Sequence, residues 1–331
     1  MDDPRVPPHH ARGDRAIDAL EESGIRAVFL HGSPKPDPTP GQKHFSEIPH
    51  PRAEIERLAR GRLASKEGHV SLGMAILGPA YSTYEVCRQD LKLARELGLI
   101  ASMHVGGGPM LTPDGFPRLV AEGLIDGKVN IVHGNCLSFE QLRPLVERGA
   151  KVTVTPDIEL QMGYGDCLTG ALRRLGSAPS LGVDIESFIG GDMFTVTRVA
   201  IQAQRHADNL ATLRATGGAP ERVSVDCREA LEWSTIRGAE MIGQSHRIGS
   251  LTPGKQADIV LLRGDDPNLS PVVDPVHAIV FHAGTANVDT VLVAGRPVKR
   301  AGKLLYAGLA RRREQLAEAS RRIVSKVRTL H

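Results

Sequence analysis

Apolar residues in this chain fall into short runs separated by stretches with helical spacing. Between residue 14 and about residue 205 the runs are Ile25–Leu30, Val70–Leu77, Leu99–Met103, Val129–Val132, Val152–Thr155 and Ser180–Val183. Each is near-continuously apolar, as expected of a strand covered on both faces. Arg15–Glu22 and Ser82–Leu97 carry helical periodicity, the latter with Ser82 or Thr83 as an N-cap. Strands alternating with helices predict parallel βα units. Six such strands are counted, whereas a closed barrel needs eight, and the two absent units correspond to roughly 60 residues of a barrel of about 250. The expected fold class is therefore α/β: a (β/α)8-type TIM barrel, N-terminally incomplete, entered partway round.

The pattern changes after about residue 222. A helix is predicted over Ser224–Ile242. The runs Ile248–Leu262, Ala278–Phe281 and Val288–Val293 follow, joined by Gly and Pro turns, and read as antiparallel strands of a small β-sandwich. The expected organisation is a partial barrel over 1–222, a linking helix over 223–245, a sandwich portion over 246–306 and a C-terminal amphipathic helix over 307–331. In that last helix Leu309, Leu316, Ile323, Val327 and Leu330 form one stripe beside a cluster of arginines, Arg311, Arg312, Arg313, Arg321, Arg322 and Arg328. The expectation is a helix packed on the body with its basic face in water. The segment His31–Pro51 holds six prolines and follows a strand's C-terminal end, so it should form a stiff loop or lid on the active face.

Composition narrows the function. The chain has 331 residues, 41% hydrophobic, with a net charge of +3. Aromatics are only 4%, too few for stacking on single-stranded nucleic acid. Cys87, Cys136, Cys167 and Cys227 are far apart and form no Cys-x-x-Cys pair, which argues against a disulfide framework or a structural zinc site. No apolar run approaches 18 residues, and the first ten residues contain no apolar signal core. The expectations are a cytoplasmic protein, a small-molecule substrate, no nucleic acid, no membrane, and a homo-oligomer, since an open sheet edge invites pairing.

Candidate chemistry lies at three strand ends. His104, His133 and Asp184 each close an apolar run, in that order along the chain. A barrel aims strand-end side chains into one crevice, and imidazole with carboxylate suits a divalent ion such as zinc or iron. The triple glycine Gly106-Gly107-Gly108 after His104 leaves room for a ligand. Asp184 directly after an apolar strand is costly unless paired or ligating.

Several segments together resemble the metal-dependent amidohydrolase superfamily, near its cytosine deaminase and chlorohydrolase-like branch, over residues 15–305. They are Ser102-Met-His104, Val132-His-Gly-Asn-Cys-Leu-Ser138, Val154-Thr-Pro156 with Glu159 and Met162-Gly-Tyr-Gly165, and Leu181-Gly-Val-Asp184 with Gly191-Asp-Met-Phe194. Gly249–Leu262 is the most specific match. The resemblance implies a metal-dependent hydrolase acting on non-peptide carbon–nitrogen bonds. It implies His104 and Asp184 as metal ligands, and Asp184 as the group that takes a proton from attacking water. It implies His133 as a catalytic contact to that water or to the reacting oxygen, and Glu159 with its adjacent loop as substrate contacts; His133, Asp192 and His31 are further candidate substrate contacts. The chain departs from the family's pattern twice. It has no first-strand His-x-His pair, and adjacent His9-His10 cannot replace it. Val105–Gly108 holds no Glu where deaminases of the family carry one, which favours other hydrolysis with Asp184 as base over nucleobase deamination. With two direct ligands left, metal binding is expected to be weak, and His31 is the first place to look for a third. The alternative reading is a partial chain, a catalytically impaired barrel fragment that keeps its fold and binds a ligand or oligomerises.

Overall fold

The computed structural model describes residues 8–32, 35 and 37–328, with the side chains of 8–11 and 328 left aside. The imidazoles of His9 and His10, the rings of Pro34 and Pro36, and Leu330 of the apolar stripe lie outside the described residues.

Six parallel strands make one curled sheet. They are β1 Ala27–Gly32, β2 Val70–Ile76, β3 Ala101–Val105, β4 Val129–His133, β5 Lys151–Val154 and β6 Ser180–Leu181, paired in chain order. All six follow the runs read from the sequence, with no end shifted by more than two residues. Neighbour-to-neighbour order with helices between is the wall of a barrel, here an arc whose edges are β1 and β6. The face toward the helices is apolar. Met74, Met103, Ile131 and Val154 are fully buried against Ile55, Leu58, Leu119, Leu142 and Leu145, which accounts for the near-continuous apolar runs.

The opposite face carries a polar rung across four strands. Asn130 Nδ2 donates to Ser102 Oγ at 3.0 Å, Thr153 Oγ1 donates to Asn130 Oδ1 at 3.0 Å, and Thr153 and Ser180 share a bond of 2.9 Å. Each buried polar atom in the rung thus has a partner, as burial requires. One step along β3 from Ser102, on the same face, stands His104.

A separate antiparallel sheet has the order β10-β9-β8-β7, with β7 Ile259–Leu262, β8 Val288–Val293, β9 Arg296–Arg300 and β10 Lys303–Leu304. The tight turn Ala294-Gly295, at φ 48° and 79°, joins β8 to β9. This two-residue left-handed geometry matches the twist of a hairpin.

Three expectations are corrected. Ala278–Phe281 is not a strand. Asp274 caps Pro275–His277 by accepting from the Val276 and His277 N–H groups, and the helical path continues as a π turn over Ala278–His282. A cap followed by Pro at the first helical position outweighs the β-branched character of the run. The linking helix is two helices, Cys227–Trp233 and Ile236–Met241. Ser234 Oγ and Thr235 Oγ1 both donate to Leu231 O, competing with the helix ladder at the break. The C-terminal helix, Leu309–Arg328, does not pack its stripe on the body: Leu309, Leu316, Ile323 and Val327 are 37%, 71%, 60% and 49% exposed. Among the described residues, no helix is long and apolar enough to cross a membrane.

Candidate metal centre

His104 is on β3, His133 ends β4, and Asp184 follows β6 by three residues. One donor atom from each lies within 4.8 Å of the other two. Two imidazoles and a carboxylate so placed can hold a divalent ion, and their chemistry suits zinc or iron.

Backbone conformation brings two of the three to the crevice. Strict alternation along β4 would put His133 on the face of Ile131, beneath the helices. Its φ of 67° breaks the alternation, and Gly134 follows at φ 80°. Asp184 also sits at a left-handed φ, 61°. Non-glycine residues occupy this region sparingly, and Asp and His are among those that tolerate it best. Strain of this kind concentrates where a side chain must be aimed.

The two histidines are held differently. His104 opens to solvent at the crevice mouth, yet its pKa is lowered, first by desolvation against the walls and then by His133; Asp184 pulls the other way. A neutral imidazole is the form that binds metal. His133 is buried, with Nδ1 at 2.9 Å from Thr155 Oγ1 and 3.3 Å from Glu159 Oε1. With Nδ1 engaged, Nε2 is left for the cluster.

Glu159 is not presented to the open crevice. It is fully buried beneath His133, where Oε1 accepts from the Thr155 N–H at 2.8 Å and Oε2 from Asn135 Nδ2 at 3.2 Å. Burial pushes its pKa up, but the contacts to His133, the Thr155 N–H, Asn135 and Cys167 outweigh it and hold the carboxyl below its ordinary value. Asp192 is the N-cap of the helix Met193–Thr216, accepting from the Phe194 N–H at 3.0 Å and Thr195 Oγ1 at 2.8 Å. His31, at the end of β1, is buried with Nδ1 at 2.9 Å from His50 Nε2, and it is not part of the three-donor cluster.

The walls include Tyr81, which no motif singled out, and Tyr164 of the Met162–Gly165 segment. A Cβ on Gly106 would come within 3.0 Å of the Tyr81 hydroxyl, and one on Gly107 within 2.9 Å of Tyr164 Cδ1. The triple glycine therefore lets two tyrosines close over the loop after His104. Tyr164 meets the His133 ring edge-on at 5.7 Å, and Lys35 Nζ lies 5.3 Å from the Tyr81 ring centre. Lys35 comes from the proline-rich segment after β1, so that segment does reach the active face. A cavity of about 870 Å³ opens elsewhere, at the starts of β5 and β6 beside Lys151, Ser180 and Trp233. It lies at the strand ends opposite the three donors.

The profile of the Amidohydrolase family matches residues 7–298. Among curated relatives, an 8-oxoguanine deaminase of Pseudomonas aeruginosa is 29% identical over 301 residues, 85% of this chain and 64% of the relative. A 5-methylthioadenosine/S-adenosylhomocysteine deaminase of Desulforudis audaxviator is 28% identical over 331 aligned positions, 95% of this chain and 71% of the relative. One of the same name from Teredinibacter turnerae is 32% identical over 188 residues, 56% of this chain and 40% of the relative. The chain thus aligns with between 40% and 71% of the length of these three proteins. Among solved structures, an adenosine deaminase from Xanthomonas campestris with bound zinc superposes with a TM-score of 0.78 at 22% identity, covering 96% of this chain and 70% of that one. A zinc complex of atrazine chlorohydrolase from Arthrobacter aurescens gives 0.75 at 21% identity, covering 90% and 66%. The curled parallel sheet, the separate antiparallel sheet and the matched profile agree, and the chain belongs to the amidohydrolase family.

Proposed function

We propose that this chain acts in metal-assisted hydrolysis of a carbon–nitrogen bond in a small molecule. The observation that carries the reading is the convergence of the His104, His133 and Asp184 donors within 4.8 Å. A divalent ion, zinc in this reading, supplies a lowered pKa for water and polarises the scissile carbon when it is held there. His104 and Asp184 hold it, with His133 alongside. Asp184 is exposed at the crevice mouth, so its second oxygen is free to take a proton from attacking water and return it to the leaving nitrogen. Val105–Gly108 offers no other carboxylate for that transfer. Tyr81 and Tyr164 give the crevice aromatic walls, which favours a planar, nitrogen-bearing ring as substrate, in keeping with the deaminase names of the relatives. The free cysteines favour a reducing compartment such as the cytoplasm. The unpaired edges of β1 and β6 favour a homo-oligomer.

Zinc titration followed by calorimetry, beside ammonia release from a panel of aminated purines, pyrimidines and triazines, tests the reading. We expect one zinc per chain, lost in both His104→Asn and Asp184→Asn, and activity that falls with it by well over ~10²-fold. Zinc held equally by the wild type and both variants would overturn it.

A further inference from the structure

We infer that Glu159 is a positioning residue that fixes the tautomer of His133, keeping the proton on Nδ1 and leaving the Nε2 lone pair as the atom available to His104 and Asp184. The inference deepens the metal-site reading, but its test needs neither metal nor activity.

Donors and acceptors beneath the ring can be satisfied in one direction only. Three atoms meet beneath the ring: His133 Nδ1, Thr155 Oγ1 and Glu159 Oε1. Their separations are 2.9 Å from Nδ1 to Oγ1, 3.2 Å from Oγ1 to Oε1 and 3.3 Å from Nδ1 to Oε1. Thr155 has one hydroxyl proton to place. If it went to Nδ1, that nitrogen would carry no proton, and its lone pair would face the carboxylate oxygen with no donor between them. If it goes to Oε1 instead, the hydroxyl oxygen is free to accept from Nδ1–H, and all three atoms are satisfied in one direction: Nδ1–H to Oγ1–H to Oε1. The remaining donors on the carboxylate are fixed as well, since the Thr155 backbone N–H can only donate, Asn135 Nδ2 donates to Oε2, and the Cys167 thiol adds a third donor. Both oxygens therefore act as acceptors, and the carboxylate has no proton to offer the ring. A charged acceptor at the end of a buried chain outweighs a neutral one.

This limits what His133 can do at the cluster. A bare Nε2 can ligate a metal or accept a proton; it cannot donate a hydrogen bond to a reacting oxygen. A carboxylate or hydroxyl behind a ligating imidazole also sets the ring's orientation, and here the ring must be held against a left-handed backbone at φ 67°.

The test is the ring-nitrogen spectrum of ¹⁵N-histidine-labelled, metal-free full chain above neutral pH. Two-bond proton–nitrogen correlations distinguish the tautomers directly. The His133 signal is assigned by its disappearance in His133→Asn, since Asn tolerates the left-handed backbone. We expect the Nδ1–H form in the wild type. In Glu159→Leu, Thr155 Oγ1–H is released to donate to Nδ1, and we expect the population to reverse to Nε2–H. In Thr155→Val the direct Nδ1–H contact to Glu159 remains, and we expect no reversal. An Nε2–H His133 in the wild type overturns the inference whatever the variants do. So does a folded Glu159→Leu that keeps Nδ1–H, or a reversal produced by Thr155→Val alone.

Discussion

Arg26 and Asp258 meet across the seam between the two sheets, with Arg26 Nε 2.6 Å from Oδ2 and Nη2 3.2 Å from Oδ1. The Arg26 side chain is only 6% exposed, and Asp258 also accepts from the Ala294 N–H at 2.7 Å. One carboxylate thus ties the approach to β1 to the hairpin turn after β8. Burial raises the pKa of Asp258, but Arg26 and the Ala294 N–H more than reverse this, so it ends below its ordinary value. Truncating Arg26 leaves a partly buried carboxylate without its cation, a change that costs on the order of 2 kcal/mol, less than at a fully buried pair. We expect Arg26→Ala to lose that order of stability in urea unfolding at neutral pH. The loss should shrink as pH falls through the folded pKa of Asp258, because the pair's stabilisation is present only while the carboxylate is ionised. A loss under roughly 0.5 kcal/mol, typical of a surface change, would mean the pair does not join the sheets.

Asp90 gives the opposite dependence. It is 3% exposed on the helix Tyr84–Glu96, it accepts from the His50 N–H at 2.8 Å, and burial pushes its pKa up to about 6. A carboxyl whose folded pKa lies above its unfolded value contributes stability that is complete below about pH 4 and lost as pH rises through about 6. A carboxyl raised to about 6 contributes at most about 3 kcal/mol against the folded state at pH 8. Asp90→Asn keeps an acceptor for His50 and removes the charge, so we expect a higher Tm at pH 8 and no gain at pH 4. His50, lowered to about 4 by burial and then by His31, shifts acid stability in both proteins alike and cancels in the difference. An equal gain at both pH values would show that charge is not the cause.

The left-handed conformations of His133 and Asp184 separate folding from ligation. Ala in that region costs about 1–2 kcal/mol, whereas Asn and Gly do not meet that penalty. We therefore expect Asp184→Ala to lower stability while Asp184→Asn and Asp184→Gly leave it within about 0.5 kcal/mol, and all three to lose zinc. Equal stability for Ala and Gly would argue that Asp184 is not strained in solution.

The barrel arc was legible because two-sided burial writes itself as apolar runs, and all six are strands. His104, His133 and Asp184 were legible for the same reason: each interrupts or ends such a run. What the sequence hid was direction. Nothing in the linear pattern says that Glu159 turns under His133 while its neighbour Leu160 stays exposed, because Thr155 and Pro156 start a helix there and rotate Glu159 inward. Asp192 is a polar residue before a long helix, a cap signature that the resemblance overrode. Tyr164 and Lys35 lie in segments the sequence placed near the site, but Tyr81 carries no signal of its own, and the close approach of Gly106 reveals it. At 278–282 a cap outweighed β propensity, a contest in which local turn chemistry had the stronger hand.

The C-terminal helix offers a test of how much it contributes to the fold. Apolar burial stabilises in proportion to area removed from water, and Leu316 and Ile323 remain 71% and 60% exposed. It is tied to the body at its start, where Arg312 and the preceding Tyr306 hydroxyl both bind Glu22. Exposed ion pairs of this kind contribute little. A chain ending at Gly308 should therefore lose the circular-dichroism signal of the twenty-residue helix Leu309–Arg328 while its Tm moves by less than about 2 °C. The same truncation should leave zinc uptake unchanged, because no residue of the helix belongs to the three-donor cluster. A fall of roughly 5 °C or more, equivalent to over about 1 kcal/mol in a domain of this size, would mean that the apolar stripe is covered in solution, and dilution would then say by what: a concentration-dependent Tm in the full chain, absent from the truncated one, marks a second copy as the cover.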